Sequence, residues 1–293
     1  MNDDTNSKTN DRRIDRRTVL GGLSASFVAL SGCSTLTSRN DAPNSTSSGP
    51  PEGKKDSLTS VEMVETELVV KLPSDADIDS VNLLNPDGET NAIRRIQDGT
   101  TQVAFQLLGE TEDGYVPGEY RIVAITGDET VDETTITLDP KIDITDVKRA
   151  QDYPDLNWDK EQPSWEQFAA VTVENTGNAP SYLTALRWEN SPHTKVSPSE
   201  ALTHYLRRII PPGETTIYTT APVYRTQDPT GAYEAVDCGS LERDTLTVTG
   251  NVQTGKNPTF SQTVEYGGKK YSCDLTIVDS GSTSSLKTNE SDT

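Results

Sequence analysis

Pro117-Gly118-Glu119-Tyr120-Arg121-Ile122-Val123-Ala124-Ile125 is a turn that runs directly into an extended chain. Pro117 fixes its own φ, and Gly118 supplies the backbone freedom that the turn needs. From Tyr120 onward, Tyr120, Ile122 and Ala124 fall on one side of an extended chain and Arg121, Val123 and Ile125 on the other, the period of a strand. The same short-range pattern recurs at Glu67–Leu72, Ser80–Leu84, Gln102–Leu107 and Thr134–Leu138. Turn residues separate these runs at Asn85-Pro86-Asp87-Gly88, Asp98-Gly99 and Gly127-Asp128. From Leu58 to Leu138 this amounts to about seven strands in about 80 residues, the spacing of a β-sandwich.

The segment Lys141–Val278 repeats the logic with longer insertions. Phe168–Glu174 runs into Asn175-Thr176-Gly177-Asn178, Tyr182–Trp188 reads as the next strand, and Pro211-Pro212-Gly213-Glu214 opens another at Thr215–Thr220. Thr245–Gln253, Thr259–Tyr266 and Tyr271–Val278 complete the sheets, with Gly267-Gly268 read as a hairpin turn. The insertion Gln151–Gln167, with Trp158 and Trp165, is expected to wrap the core, and Ser199–Arg208 to form a short helix.

Pro117-Gly118-Glu119-Tyr120 resembles the lead-in to the penultimate strand of immunoglobulin-like modules. That resemblance implies that Tyr120 packs at a corner and does no chemistry. The order strand, Asn-Thr-Gly, strand, Pro-Gly-Glu, strand over about 60 residues of the second segment resembles adhesion-type immunoglobulin-like domains of archaeal and bacterial surface proteins. The expected fold is therefore all-β, with two tandem immunoglobulin-like β-sandwich domains at 58–140 and 141–280.

Ahead of them lies a different kind of sequence. Arg16-Arg17-Thr18-Val19-Leu20 leads through Gly21–Ala29 to Leu30-Ser31-Gly32-Cys33. Thr18–Gly32 is only 15 residues and rich in Gly and Ser, too short and polar for a membrane-spanning helix, which needs about 20 apolar residues. A basic start, a short apolar run and small residues before Cys33 are the three parts of a secretory signal. Asp15-Arg16-Arg17-Thr18-Val19-Leu20 resembles the twin-arginine export consensus, with Asp15 and Val19 departing from it. Leu30-Ser31-Gly32-Cys33 resembles a lipobox, which implies removal of residues 1–32 and a lipid on the Cys33 sulfur. Two acyl chains there would hold the protein stably at the extracytoplasmic face of the cell membrane.

Residues 33–57 consist mainly of Ser, Thr, Asn, Pro and Gly and are expected to be a disordered tether, as is the tail 281–293. Asn44 and Asn289 each begin an Asn-x-Ser/Thr acceptor for a glycan.

The formal net charge is −20. Such a field repels nucleic acid and anionic surfaces, so nucleic-acid binding is excluded as a reading. The acidic excess together with the export signal resembles haloarchaeal proteins. It is uneven: Leu58–Pro140 has a net charge of −14 and Lys141–Val278 of −5. With Cys33 lipidated, Cys238 and Cys273 remain, and a disulfide between them suits an exported protein, although two free thiols are the alternative.

No catalytic pattern stands out. Asp75-Ala76-Asp77-Ile78-Asp79 has the alternate carboxylates of a calcium loop, but Ser80 and Pro86 occupy the positions where that loop requires Gly and Glu. His193 and His204 lack the spacing of a zinc site, and there is no Gly-x-Ser-x-Gly elbow or phosphate loop. No cofactor, metal or catalytic residue is therefore assigned.

The candidate binding surface is in the second domain, where Arg187, Trp188, His193, Lys195, Tyr205, Arg207, Arg208, Tyr224 and Arg225 gather residue types enriched at binding hot spots. Arg187, Trp188, Tyr205, Arg207 and Arg208 are its centre. The alternative is that these aromatics fill the core and the arginines balance acidic neighbours. The leading expectation is a lipid-anchored cell-surface protein with a structural or protein-binding role toward an envelope partner. A carbohydrate or small-ligand module is the second reading, and a hydrolase with an unrecognised site the weakest.

Overall fold

The computed structural model describes residues 57–109, 114–197, 202–279 and 282–285. In the first sandwich the strands are β1 (Ser60–Val64), β2 (Glu67–Lys71), β3 (Ser80–Leu84), β4 (Thr90–Arg95), β5 (Gln102–Gln106), β6 (Gly118–Thr126) and β7 (Glu129–Leu138). They form two antiparallel sheets, β1-β2-β5 and β4-β3-β6-β7. Period two in the sequence becomes one buried face on β2, β3 and β6. Leu68 and Val70 on β2, Val81 and Leu83 on β3, and Tyr120, Ile122 and Ala124 on β6 meet in a single core with Phe105 and Leu138. Tyr120 is buried and its hydroxyl donates to the Val116 carbonyl, 3.0 Å away. This is the corner role the immunoglobulin-like resemblance implies. Burial also raises the Tyr120 pKa.

The second sandwich comprises β8 (Ile142–Arg149), β9 (Ala169–Asn175), β10 (Ser181–Glu189), a short helix α1 (Pro192–Val196), β11 (Leu202–Ile210), β12 (Gly213–Tyr218), β13 (Arg243–Val252), β14 (Pro258–Lys269), β15 (Ser272–Ile277) and β16 (Ser282–Ser285). One sheet runs β12-β9-β8 and the other β11-β10-β13-β14-β15, with β16 also pairing with β14. Between them Val171, Val173, Leu183, Leu186, Trp188, Leu246, Val248 and Phe260 form the main core.

Several local expectations change. Ser199–Arg208 is not a helix: β11 pairs with β10 from Leu202 onward, because its Leu, Thr, His and Tyr residues suit an extended, half-buried edge. The helix lies upstream, capped by Ser191, whose side chain accepts from the Thr194 amide. Gly267 and Gly268 are inside β14, opposite Asp274 and Cys273, and the hairpin turns one step later at Lys270 and Tyr271. Gly268 has φ +84°, and a Cβ there would lie 2.2 Å from the Ser272 carbonyl, so the strand continues only because the residue is glycine. Finally, β16 lies within the stretch 281–293 that was expected to be disordered, since β14 is long enough to pair with β15 at one end and β16 at the other.

The insertion Gln151–Gln167 builds a small cluster of its own instead of wrapping the main core. Trp158 packs with Ala150, Phe168 and Ala170 and meets Tyr218 edge-to-face at 4.9 Å. Cys238 and Cys273 are bridged, with Cα atoms 5.4 Å apart, tying the long connection between β12 and β13 to β15.

All described residues belong to one compact unit, Gly53–Thr293, and the two sandwiches share a buried junction. Ala179 sits in the core of the first sandwich. The Tyr115 hydroxyl donates to the Pro180 carbonyl at 2.7 Å. Asn178 grips the linker from both sides: its Oδ1 accepts from the Asp139 amide at 2.9 Å and its Nδ2 donates to the Thr137 carbonyl at 2.7 Å. Asn175 Oδ1 accepts from the Lys141 amide at 3.1 Å. A Cβ on Gly177 would lie 2.0 Å from the Asp139 carbonyl, so the Asn-Thr-Gly turn has a packing task that only glycine permits.

Candidate binding site

Cys33, Arg16, Arg17, Asn44 and Asn289 lie outside the described residues. The other candidates separate by strand geometry. On β10, Leu186 and Trp188 face the core and Arg187 and Glu189 face solvent. Trp188 has no exposed surface and cannot contact a partner, which removes it from the expected surface. A register shift between Leu183 and Ala185 sets this phase, and a period-two reading could not place that shift. Arg187 pairs with Glu189 at 3.5 Å in the open, an interaction of small net value.

β11 is an edge strand, paired only with β10. Tyr205 projects from it with 86% of its surface exposed. Arg207 shares this outer side and lays its guanidinium 4.3 Å from the centre of the Tyr182 ring, a cation–π contact. It also donates to the Gly109 carbonyl of the first sandwich. Arg208 lines a groove of about 570 Å³ with Glu65, Tyr182, Ile209 and Pro211, where the first turn of one sandwich meets β11 of the other. The structure therefore puts Arg207 and Arg208 in one groove, leaves Tyr205 projecting from the same edge strand outside it, holds Arg187 in an ion pair on β10, and buries Trp188. Among the wider candidates, Tyr224 is in the core, where its hydroxyl accepts from Gln262 Nε2 at 2.9 Å. Lys195 is paired with Asp244.

His193 and His204, eleven residues apart in sequence, come close enough to influence each other. Burial first, and then the neighbouring His193, lower the His204 pKa from 6.5 to about 4. Its ring lies 6.4 Å from that of Trp188, and neither ring nitrogen has a hydrogen-bond partner among the described residues. His204 is thus held as a neutral imidazole. Among the described residues no three His, Cys, Asp or Glu side chains converge. The Asp75-Ala76-Asp77-Ile78-Asp79 run has a structural use: Asp79 Oδ2 accepts from the Gly127 amide at 2.6 Å and the Asp77 carbonyl from Thr126 Oγ1 at 2.6 Å, which fastens the β6–β7 turn.

A second concavity went unnoticed in the sequence. It lies between β8 and β15 and includes Arg149, Asp152, Gln262 and Asp274 in its lining. Its parts come from three separate stretches of the chain, 146–153, Gln262 and 274–279, so no local motif announces it.

No protein-family model and no curated protein matches the sequence. Among solved structures, a two-domain fibronectin type III segment from chicken tenascin aligns over 75% of this chain and 95% of its own, at 15% identity and a TM-score of 0.20. The central fibronectin-III array of RIM-binding protein aligns over 76% and 96%, at 10% identity and a TM-score of 0.19. A β-glycosidase from Bacteroides vulgatus aligns over 73% of this chain at 12% identity and a TM-score of 0.20, but this chain spans only 23% of its length. Superpositions this loose add nothing to the sandwich topology already read from the strand pairing.

Proposed function

We propose that this chain is a lipid-anchored protein of the extracytoplasmic membrane face, whose two docked sandwiches bind another envelope protein without catalysis. Export through Arg16-Arg17 and a lipid on Cys33 place it there, and the 24 residues of Ser34–Ser57 give the folded part a reach of roughly 25–30 Å. The observation that carries the binding role is Tyr205, 86% exposed on an edge strand that pairs with β10 on one side only and also carries Arg207 and Arg208, in a chain of net charge −20. A basic, aromatic edge on an otherwise acidic molecule fits a protein partner with an acidic surface. The hydrogen-bonded junction holds that edge in a fixed place relative to the first sandwich.

The test is co-purification from cross-linked cells. The tagged native protein should bring down one protein in near-equal amount, and Arg208→Glu should abolish that recovery while membrane association persists. Equal recovery with Arg208→Glu, or recovery of the bait alone from both, would overturn the reading.

A further inference from the structure

A cleft lies at the seam between the two sheets of the second sandwich. β8 ends the smaller sheet, β15 and β16 share the edge of the larger beyond β14, and the cleft between β8 and β15 has a volume of about 640 Å³. Two side chains at its base are almost wholly buried, Arg149 with 7% and Gln262 with 3% of their surface exposed. Burying such groups is costly unless their hydrogen bonds are made. Asp152 takes two of the Arg149 donors, from Nε at 2.9 Å and Nη2 at 2.6 Å. The other three N–H groups that a guanidinium carries have no partner among the described residues. Gln262 gives one N–H to Tyr224 Oη at 2.9 Å. Its Oε1 and second N–H have no partner there either. Donors and an acceptor are therefore left at the base of the cleft.

The rim has a complementary character. Asp146, Asp274 and Asp279 place carboxylates there, Asp146 already holding Lys148 at 2.8 Å and Asp279 Oδ1 accepting from the Thr263 amide at 3.0 Å. Tyr153 is 46% exposed. Its backbone is fixed by Trp158 Nε1, which donates to the Tyr153 carbonyl at 2.7 Å, and the Lys148 ammonium sits 5.4 Å from its ring centre. An anionic ligand would meet four carboxylates, counting Asp152, against one guanidinium. A cationic ligand would be driven onto Arg149. A neutral ligand with adjacent hydroxyls suits both: each hydroxyl can donate to a carboxylate and accept from Arg149 or Gln262, while its C–H face lies on the Tyr153 ring.

We propose that the cleft between β8 and β15 is a binding site for a neutral saccharide. It is separate from the β11 edge, and neither proposal depends on the other.

The test uses the full-length protein in detergent, titrated with the methyl glycosides of glucose, galactose, mannose and N-acetylglucosamine, with methyl glucuronide and glucosamine as charged controls. Saturation-transfer NMR is the readout. At least one neutral glycoside should bind in preference to both charged sugars. Asp274→Ala and Tyr153→Ala should each weaken it about tenfold, the scale of one good contact. Both side chains are on the rim, so both variants should unfold at the wild-type midpoint, and Tyr205→Ala should bind as wild type. No binding of any neutral glycoside, preference for a charged sugar, or binding unchanged by both rim variants would overturn the proposal.

Discussion

Breaking the Cys238–Cys273 bridge gives a change whose size can be worked out in advance. The bond joins the β12–β13 connection to β15 across a sequence separation of 35. Closing a loop of that size removes about 13 cal/mol/K from the unfolded chain, or about 4 kcal/mol at 25 °C, in the chain-entropy account. The second sandwich has about 140 residues, and unfolding entropy near 2.1 cal/mol/K per residue makes about 0.3 kcal/mol/K in all. Dividing one by the other gives a fall in midpoint of about 13 °C. Cys238 is buried among Val223, Tyr224 and Val236, so the assay should compare oxidised and reduced wild-type protein, which keeps the packing constant. Scanning calorimetry with and without a phosphine reductant at neutral pH measures the shift. A fall of less than about 3 °C, with the thiols confirmed free, would refute the entropic reasoning.

The remaining expectations concern the junction, the histidine, the core and the anchor. Tyr115→Phe strands the Pro180 carbonyl in the buried junction and should cost about 1–3 kcal/mol by urea titration; no loss would mean that the junction is wet. His204 has its pKa lowered to about 4, below its unfolded value of about 6.5, so the unfolded chain binds the extra proton first. Its contribution is complete above pH 6.5 and is lost as pH falls toward 4. That loss amounts to about 1–2 kcal/mol, discounted because the residue is only half-buried; His204→Gln should flatten the stability difference over that window. Trp188→Ala should cost about 3–5 kcal/mol in thermal unfolding, whereas Tyr205→Ala should stay within about 0.5 kcal/mol; similar losses would mean that core and surface have been misassigned. Cys33→Ser should move the protein from the membrane fraction to the medium or leave an uncleaved precursor, and Arg16→Lys with Arg17→Lys should block export; an unchanged lipidated product would contradict the anchor.

The sandwich was legible where apolar residues alternate between clear turns. Tyr120 could be placed at its corner because Pro117-Gly118 sets the start of β6 and the next residues fix its phase. β4 was not legible: Thr90-Asn91-Ala92-Ile93-Arg94-Arg95 is almost all exposed, and pairing with β3 makes it a strand. Arg94 secures it by donating to the Ala104 carbonyl at 2.9 Å and covering the Phe105 ring at 5.3 Å, contacts that no window of sequence contains. The residues of β11 fit a helical period as well as an extended one, and only pairing with β10 makes them a strand. The binding surface was half legible for a related reason. Arg187 and Trp188 are neighbours in a strand, so one must point inward, and only the shift at Leu183–Ala185 decides which. The cleft was invisible because β8 and β15 are far apart along the chain and meet only when the sandwich closes.

We propose that the β11 edge is where this molecule meets its partner. A photo-cross-linking residue at position 205, compared with the same residue at position 271, tests it most directly. Tyr271 is 67% exposed at the β14–β15 turn, on the far side of the same sheet. Illumination of intact cells should give one discrete adduct from position 205 and none from position 271. Equal adducts from both positions, or an adduct from 271 alone, would contradict the account.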